Sequence, residues 1–306
     1  GSCGQYELES FEGVPYVHIN LKNIVRVVKG VAELDLDGLK TLVHTAVHFL
    51  DNCVEMHNHP DPHLEKASKR SRKIGLGVLG FADLLFALEL PYGSDESLKV
   101  IDTVMGTIQN ESRVASHILA KRRGPFPAIT ESSWKKQVRN ATITSIAPTG
   151  STSLIAGVSQ SIEPVYALSF TTTTSEGKQF TILNEVFAQS IDGLPIDKTA
   201  KIQLQFVDSV HNIGWLDESF KSIFCTAMDV SAEDHLRVMA RFQRYVDNSI
   251  SKTINLPQSA SLDDVAHIMK QAHRLRCKGI TIYRDGCRSD QVLATKKQTR
   301  LSAFRA

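Results

Sequence analysis

The sequence predicts an α/β protein whose sheet is largely parallel. Short runs rich in β-branched residues alternate with long helical patterns, and this alternation is typical of parallel strands covered by helices. No internal repeat, low-complexity tract or Pro/Gly-rich linker divides the 306 residues, so we expect one domain.

The first half of the chain predicts one short strand and two long helices. Residues 15–21, Pro-Tyr-Val-His-Ile-Asn-Leu, have the composition of a strand. A helix begins at Asp37, because apolar residues recur at helical spacing as far as Val54 and acidic residues favour a helix N-terminus. A second helix is predicted over 94–123, where basic residues and Gly124 end the pattern.

The second half continues the alternation. A β-rich run at 142–147 enters a Pro-Thr-Gly turn, and a polar stretch of threonines occupies 171–174. The predicted helices are 182–191, 199–212, 232–250 and 262–276, and the predicted strands are 253–256 and 279–283.

Composition and charge are those of an ordinary globular protein. Hydrophobic residues make up 42% of the chain and charged residues 22%, and the formal net charge is +2. The basic runs at 66–73 and 296–300 are typical of solvated faces, so we expect no nucleic-acid partner. No apolar run approaches the ~20 residues of a membrane helix and no signal-peptide pattern is present, so we expect no membrane partner and a cytoplasmic location.

The cysteines are Cys3, Cys53, Cys225, Cys277 and Cys287. They are too widely spread for a disulfide framework or a metal knuckle, so we expect most to be reduced and the last two to be structural thiols. The chain does not begin with methionine, so we treat it as a fragment, a processed product or a chain with residues added at its start.

The segment 142–156 has the pattern of an oxyanion-binding loop. A β-rich run ends at Pro148, turns through Gly150 and enters a helical stretch. Unpaired N–H groups and the helix dipole attract phosphate at such a helix start, and glycine lets the backbone come close. The predicted phosphate-binding residues are Pro148, Thr149, Gly150, Ser151, Thr152 and Ser153. The alternative is an ordinary strand-turn-helix with hydroxyl caps.

Two other patterns have simpler explanations. Residues 75–80 satisfy GxGxxG, but the basic run at 66–73 stands where a dinucleotide-binding fold needs an apolar strand. We therefore interpret these glycines as close-packing positions at a strand-to-helix turn. His57, His59 and His63 could gather a metal, yet two prolines and polar surroundings favour a surface loop after a helix.

Six segments together resemble one family. They are 72–85 (Arg-Lys-Ile-Gly-Leu-Gly-Val-Leu-Gly-Phe-Ala-Asp-Leu-Leu), 147–153, Ser161-Ile162-Glu163-Pro164, 226–235, 246–257 and 278–286. In this order they are similar to the large subunit of ribonucleotide reductase, most closely to its adenosylcobalamin-dependent branch. The resemblance implies the second half of a ten-stranded α/β barrel over residues 1–293, followed by a basic, disordered tail at 294–306.

The same resemblance implies a partner, because the first half of the barrel is absent from these residues. An isolated half-barrel exposes an apolar seam. We therefore expect the missing half, a complementary chain or a second copy of this chain to cover it.

The resemblance also implies a radical chemistry. Cys3 takes the position of the thiyl-radical cysteine in the family's Asn-Pro-Cys-Gly-Glu loop, with Ile19-Asn20-Leu21 anchoring the alignment. Adenosylcobalamin is the implied cofactor that generates the radical, and ribonucleotides are the implied substrates. Gln5 replaces the family glutamate that removes the 3′-hydroxyl proton, and an amide cannot act as a general base. Val14 replaces a redox cysteine.

Two interpretations stay open. The first is a ribonucleotide reductase catalytic chain, favoured by Cys3 and the phosphate loop. The second is a catalytically degenerate relative that binds a nucleotide or a partner and keeps Cys3 as an inert thiol, favoured by Gln5 and Val14. Glu163 is a further candidate, which either points toward the nucleotide or ends a helix.

Overall fold

The protein is described by a computed structural model that covers residues 4–6, 8–173 and 179–287, so Cys3 and the tail 294–306 lie outside the described residues. The helices are α1 (Leu36–Met56), α2 (Pro62–Ser71), α3 (Phe81–Ala87), α4 (Asp95–Arg123), α5 (Gly150–Ala156), α6 (Glu185–Gly193), α7 (Lys198–Leu204), α8 (Glu218–Ile223), α9 (Ala232–Gln243) and α10 (Leu262–Arg274). The strands are β1 (Tyr16–Asn20), β2 (Val25–Val28), β3 (Val31–Leu34), β4 (Gly75–Leu79), β5 (Ser169–Thr173), β6 (Gln179–Leu183), β7 (Thr253–Leu256) and β8 (Thr281–Arg284).

Five parallel segments lie side by side. β1 pairs with β4, and a bridge between Leu76 and Thr144 adds the segment 143–147. A bridge between Ile146 and Ile250 adds the segment that continues into β7, and β7 pairs with β8. The order of the segments follows the chain, as it does when each strand returns through a helix. The predicted α/β class with a parallel sheet is confirmed.

The two faces of this sheet differ in chemistry. Alternation along β1 directs Val17 and Ile19 toward the helices, where Ile19 is buried in the main hydrophobic core and Val17 packs against it. The opposite face, called here the inner face, carries Tyr16, His18 and Asn20 from β1 and Gly75 and Gly77 from β4. The core-facing side of α1 repeats at helical spacing as predicted, through Leu39, Val43, Ala46, Val47, Leu50 and Val54.

A buried carboxylate ties the helices to the strands. Asp51 on α1 is 0% exposed and accepts hydrogen bonds from Arg72, Arg123, Arg139 and Asn140. Burial acts to raise the pKa of Asp51, but the hydrogen bonds and charge of Arg72 outweigh it and lower the pKa. The network joins the end of α1 to the residues that enter β4 and the segment 143–147.

Two helix predictions were too long. The predicted helix 199–212 ends at Leu204, because Leu204 and Val210 both enter a second core and the carbonyl of Asp208 accepts from Leu168 N. The predicted helix 232–250 ends at Gln243, because the backbone of Asn248 and Ser249 is hydrogen-bonded to the segment 143–147 instead. In both places tertiary contacts override local periodicity.

Other parts of the chain agree with the sequence or were not anticipated. The helices α4 and α10 and the strands β7 and β8 lie within about three residues of their predicted bounds. The antiparallel hairpins β2–β3 and β5–β6 were not predicted. The threonines at 171–174, which belong in part to β5, were interpreted only as a polar stretch. Within the described ranges, no helix is long and apolar enough to cross a bilayer.

Ser161 holds a backbone conformation that suits glycine. Its φ is 45°, its side chain is 1% exposed, and its Oγ has no hydrogen-bond partner among the described residues. The backbone is fixed on both sides, since Ser161 N donates to Thr149 Oγ1 and Ser161 O accepts from Phe81 N. A left-handed conformation costs a residue with a Cβ about 1–2 kcal/mol.

Ser161→Gly should therefore raise the free energy of unfolding by about 1 kcal/mol, measured by urea denaturation. The gain from relieving the left-handed strain and the unpaired hydroxyl exceeds the added entropy of the unfolded chain. Ser190→Gly on α6 is the matched control and should cost about 0.5 kcal/mol, because glycine weakens a helix interior. A loss of stability in Ser161→Gly would show that the strain is absent.

Candidate functional site

The residues that follow α5 lie over the carboxyl ends of β1 and β4, and the predicted phosphate loop 148–153 directly follows the parallel segment 143–147. Gly80, which follows β4, donates its N–H to Ser159 O at 2.9 Å. A Cβ on Gly80 would lie 3.0 Å from Asn20 Oδ1 and 3.4 Å from Val158. Ligands of open parallel sheets bind at this end of the strands, so the loop stands where a ligand is expected.

The loop exposes part of its predicted phosphate-binding set. Gly150, Ser151 and Thr152 are exposed at the start of α5, where the first N–H groups have no intrahelical acceptor. Thr149 is buried and its Oγ1 accepts from Ser161 N at 2.7 Å, while Ser153 Oγ donates to Gly150 O at 3.1 Å. The hydroxyls of Thr149 and Ser153 are thus committed within the protein. Pro148 is exposed ahead of them.

Asp83 on α3 braces the far end of the loop. Its buried carboxylate accepts from Ser159 N at 2.6 Å and from Asn184 Nδ2 at 2.7 Å. Asn184 is in turn the N-cap of α6, where its side chain accepts from Phe187 N. The loop, α3 and α6 are therefore held in one arrangement by a single carboxylate.

The segment around Gln5 lies against the sheet. The carbonyl of Gln5 accepts from Ser145 Oγ at 2.9 Å and from Ser249 N at 3.1 Å. Its side-chain Oε1 is buried and has no hydrogen-bond partner in the described part of the chain. The structure therefore places the residue that follows Gly4 against the segments 143–147 and 249–256, while the radical position Cys3 lies outside the described residues.

Aromatic rings fill the inner face beside Gln5. Tyr6 packs edge-on against Tyr16 with ring centroids 5.7 Å apart, and Tyr16 lies 4.6 Å from the ring of His18. Tyr16 Oη donates to Ser145 O at 2.5 Å. Burial raises the pKa of both tyrosines and lowers the pKa of His18 to about 4, so the imidazole is neutral at pH 7.

The glycines of the GxGxxG pattern pack closely, but two of them lie inside a strand. Gly75 and Gly77 belong to β4, and only Gly80, with φ of 75°, stands at the turn into α3. A Cβ on Gly75 would overlap the rings of Tyr6 and Tyr16. These glycines make room for tyrosines of the same chain rather than for a dinucleotide.

Glu163 does not end a helix, since α5 ends at Ala156, and its carboxylate is paired within the chain. Its Oε2 accepts from Lys252 Nζ at 2.6 Å and its Oε1 accepts from Thr253 N at 2.7 Å, which fixes the start of β7. Lys252 is 1% exposed and lies 3.0 Å from His235 Nδ1. Burial lowers the pKa of Lys252 against the opposing charge of Glu163. Sequence reasoning missed Lys252 and His235, since neither residue stands out in the local pattern.

His235 is buried as a neutral imidazole. Its Nε2 lies 3.0 Å from the carbonyl oxygen of Ala227, so Nδ1 is left to accept from Lys252. Burial and the charge of Lys252 lower the pKa of His235 to about 3. If Nδ1 were protonated, its positive charge would lie beside the ammonium group of Lys252, and the two charges would repel each other.

The histidines His57, His59 and His63 do not form a metal site. The rings of His57 and His59 touch at 4.2 Å between centroids, whereas His63 lies on α2 and contacts Asp61. Among the residues described, no group of three or more His, Cys, Asp or Glu side chains could hold a metal ion. Of the three, His57 and His59 lie in the segment between α1 and α2, as the surface-loop prediction requires, and His63 does not.

The described cysteines are free thiols: Cys53, Cys225, Cys277 and Cys287. Burial raises the pKa of Cys225 and Cys277 to about 11, which suppresses the reactive thiolate. A structural role for Cys277 is consistent with this environment. Cys287 is exposed.

Comparisons with known proteins agree on one family. A family model described as "Ribonucleotide reductase, barrel domain" matches residues 17–139 and 135–283. The vitamin B12-dependent ribonucleoside-diphosphate reductase of Thermoplasma acidophilum is 40% identical over 295 residues, which cover 95% of this chain and 38% of that protein. The protein of the same name from Mycobacterium tuberculosis is 37% identical over 296 residues, covering 96% and 42%.

A solved structure has the same fold. The class Id ribonucleotide reductase alpha subunit of Actinobacillus ureae superposes with a TM-score of 0.75 at 25% identity, over 93% of this chain and 52% of that one. The chain spans about two fifths of the length of the two curated relatives.

Protein stability should fall with acid because of His235. Its folded pKa is about 3 and its ordinary value is 6.5, so its contribution is complete above pH 6.5 and is lost as the pH falls toward 3. Below pH 6.5 this one group should lower the free energy of unfolding by about 1.4 kcal/mol per pH unit. His235→Gln, which keeps a donor and an acceptor but cannot titrate, should flatten the curve between pH 6.5 and 5. Equal slopes in urea denaturation of parent and variant would contradict the assignment.

Proposed function

The chain belongs to the ribonucleotide reductase family, whose barrel domain it matches from residue 17 to residue 283, and on this premise we propose that it is part of a catalytic chain that reduces ribonucleotides to 2′-deoxyribonucleotides. One observation carries the proposal. The segment that follows Cys3 lies against the inner face of the parallel sheet. The exposed loop at Gly150 lies at the carboxyl end of the same sheet. A nucleotide held by that loop can therefore extend toward the described segment that begins at Gly4.

The substrate phosphates are proposed to bind at residues 148–153. Gly150, Ser151 and Thr152 offer exposed N–H groups and hydroxyls at the start of α5. Thr149 and Ser153 support the loop from within, because Ser153 Oγ donates to Gly150 O and Thr149 Oγ1 accepts from the backbone N–H of Ser161. A Cβ on Gly150 would meet nothing within 4 Å, so the space above it is open to a ligand.

Adenosylcobalamin is the proposed cofactor, because the relatives are named vitamin B12-dependent. Tyr6 and Tyr16 fill the inner face over β4, whereas the side of β7 and β8 away from the core presents the uncharged polar side chains of Asn255 and Tyr283. These half-buried groups suit an adenosyl group. When bound, the cofactor supplies the radical that Cys3 would carry.

Two residues favour a second candidate function, a relative that binds a nucleotide or a partner without turnover. The amide of Gln5 cannot remove a hydroxyl proton, and Val14 cannot join a reducing dithiol. The same two residues are compatible with an active enzyme only if other groups supply these functions.

The proposed partner is the missing half of the barrel, on another chain or in a second copy of this one. Among the described strands, β1 is paired only with β4 and β8 only with β7. Each therefore has a side on which another strand can add. Synthesis of deoxyribonucleotides would place the protein in the cytoplasm.

Gly150→Ala should weaken the binding of ribonucleoside diphosphates and pyrophosphate by about 10- to 100-fold, the range for lost hydrogen bonds to a charged group. The new methyl group occupies the space that a phosphate needs, yet it clashes with no protein atom and favours the helix. Isothermal titration calorimetry measures the effect.

Gly193→Ala is the matched control. Gly193 is also helical and exposed, and a Cβ added to it would meet nothing within 4 Å, but it lies on α6. It should bind like the parent. Equal affinities of parent and Gly150→Ala would remove the phosphate site from the loop.

Turnover should depend on the missing half of the barrel and on Cys3. The purified 306-residue chain should not reduce ribonucleotides, because the sheet is incomplete. In the complete enzyme with adenosylcobalamin, Cys3→Ala should abolish product formation, since it removes the thiol that the resemblance places at the hydrogen-abstracting position. Cys53→Ala on α1, behind the sheet, is the control and should keep activity. Turnover by the isolated chain, or by Cys3→Ala, would reject this assignment in favour of another reaction.

A further inference from the structure

Buried polar atoms without partners are concentrated around Gln5. Gln5 Oε1, His18 Nε2 and Ser249 Oγ have no hydrogen-bond partner among the described residues. Most buried polar groups in native proteins are satisfied by protein or by bound molecules. Gln5 and Ser249 are adjacent, because Ser249 N donates to Gln5 O at 3.1 Å. A polar ligand at this place would satisfy groups that the chain leaves unpaired.

His18 lies on the inner face of β1, between Tyr16 and Asn20. On one side along β1 is Tyr16, whose ring contacts Tyr6. On the other side is Asn20, whose Oδ1 faces Gly80 beside the end of the loop. Both neighbours on this face are two residues away, about 7 Å along a strand. His18 is therefore on the same face of the sheet as the tyrosines beside Gln5.

The unpaired atoms suit hydroxyl groups and do not suit a phosphate. A neutral imidazole can accept a hydrogen bond through Nε2, and the carbonyl of the Gln5 side chain is an acceptor as well. Burial keeps His18 neutral at pH 7 by lowering its pKa to about 4. Tyr6 Oη is also buried and unpaired within the described ranges. These four groups are neutral acceptors and hydroxyls without a cation to attract an anion, whereas the hydroxyls of a ribose can pair with them. Ser249 adds a hydroxyl that can serve in either role.

We propose that His18 Nε2 accepts a hydrogen bond from a ribose hydroxyl of the bound nucleotide, where Gln5 provides no carboxylate. His18 is thus a residue that selects ribose. The inference rests on the proposed function, because it requires the phosphates to be held at residues 148–153.

The test compares two variants of His18 in the full chain. His18→Phe keeps a ring against Tyr16 but has no acceptor, whereas His18→Gln keeps an acceptor. His44→Phe on α1 is the control. Calorimetry measures the binding of adenosine and cytidine diphosphates, of their 2′-deoxy and 3′-deoxy analogues, and of pyrophosphate. Pyrophosphate reports whether each variant is folded and has an intact phosphate loop.

The parent should bind a ribonucleotide about 2- to 13-fold more tightly than at least one deoxy analogue, the range of one neutral hydrogen bond. His18→Phe should lose this preference while binding pyrophosphate normally, and His18→Gln and His44→Phe should keep it. In the parent labelled with ¹⁵N at histidine, the Nε2 signal of His18 should shift with the ribonucleotide and not with the discriminated analogue. If His18→Phe does not fold, the Nε2 signal of His18 in the parent tests the role of His18 instead.

Other outcomes separate the two proposals. If the parent shows no preference, or if His18→Phe keeps it, the role of His18 is wrong while the phosphate site stands. An Nε2 signal of His18 that does not shift when the ribonucleotide binds would likewise show that the role of His18 is wrong. If the parent binds neither pyrophosphate nor any nucleotide, the proposed function fails and the role of His18 fails with it.

Discussion

The inner face depends on the absence of side chains at two positions of β4. A Cβ on Gly77 would lie 2.7 Å from the carbonyl oxygen of Ser145 and 3.0 Å from Tyr16 Oη. Any larger residue would push the neighbouring segment away or expel Tyr16. Tyr16 holds Tyr6 in place, and Ser145 holds the backbone of Gln5, so the whole N-terminal segment rests on these glycines. Close packing around these two glycines of β4 thereby fixes the position of the N-terminal segment, and with it the place of the chemistry proposed for that segment.

The amino ends of β4 and of the segment 143–147 are held by a buried ion network rather than by close packing. Asp51 gathers Arg72, Arg123, Arg139 and Asn140, which stand where the chain enters β4 and the segment 143–147. A buried ion network contributes little net stability but is costly to break, so it fixes one arrangement of these elements. The amino ends of two strands are thus anchored, and their carboxyl ends remain available for a ligand. Binding at the loop need not disturb the anchor.

The sequence predicted those elements whose periodicity and packing agree. The stripe of α1 and the strand 253–256 fall where they were expected, because each buries one regular face. The helix 232–250 was too long because sheet pairing of Asn248 has no local signal. At the site, the turn through Gly150 into a helix was predicted and is the start of α5, while phosphate binding there stays a prediction. The inward direction of Thr149, Ser153 and His18 could not be predicted, since it depends on register and on contacts distant in the chain.

The carboxylates of Asp83 and Glu163 already accept hydrogen bonds within the protein, which limits their use as proton acceptors at this site. Asp83 is occupied by Ser159 N and Asn184, and Glu163 is occupied by Lys252 and Thr253 N. Withdrawing either carboxylate would leave buried donors unpaired, at a cost of about 1–3 kcal/mol or more for each group. Neither can supply the proton acceptor that the amide of Gln5 lacks without that loss. A neutral acceptor that is already buried and unpaired carries no such cost. The contrast between an active reductase and a binding relative therefore depends on whether a neutral group on the inner face can do the work of a carboxylate, and on what supplies the thiol that Val14 lacks.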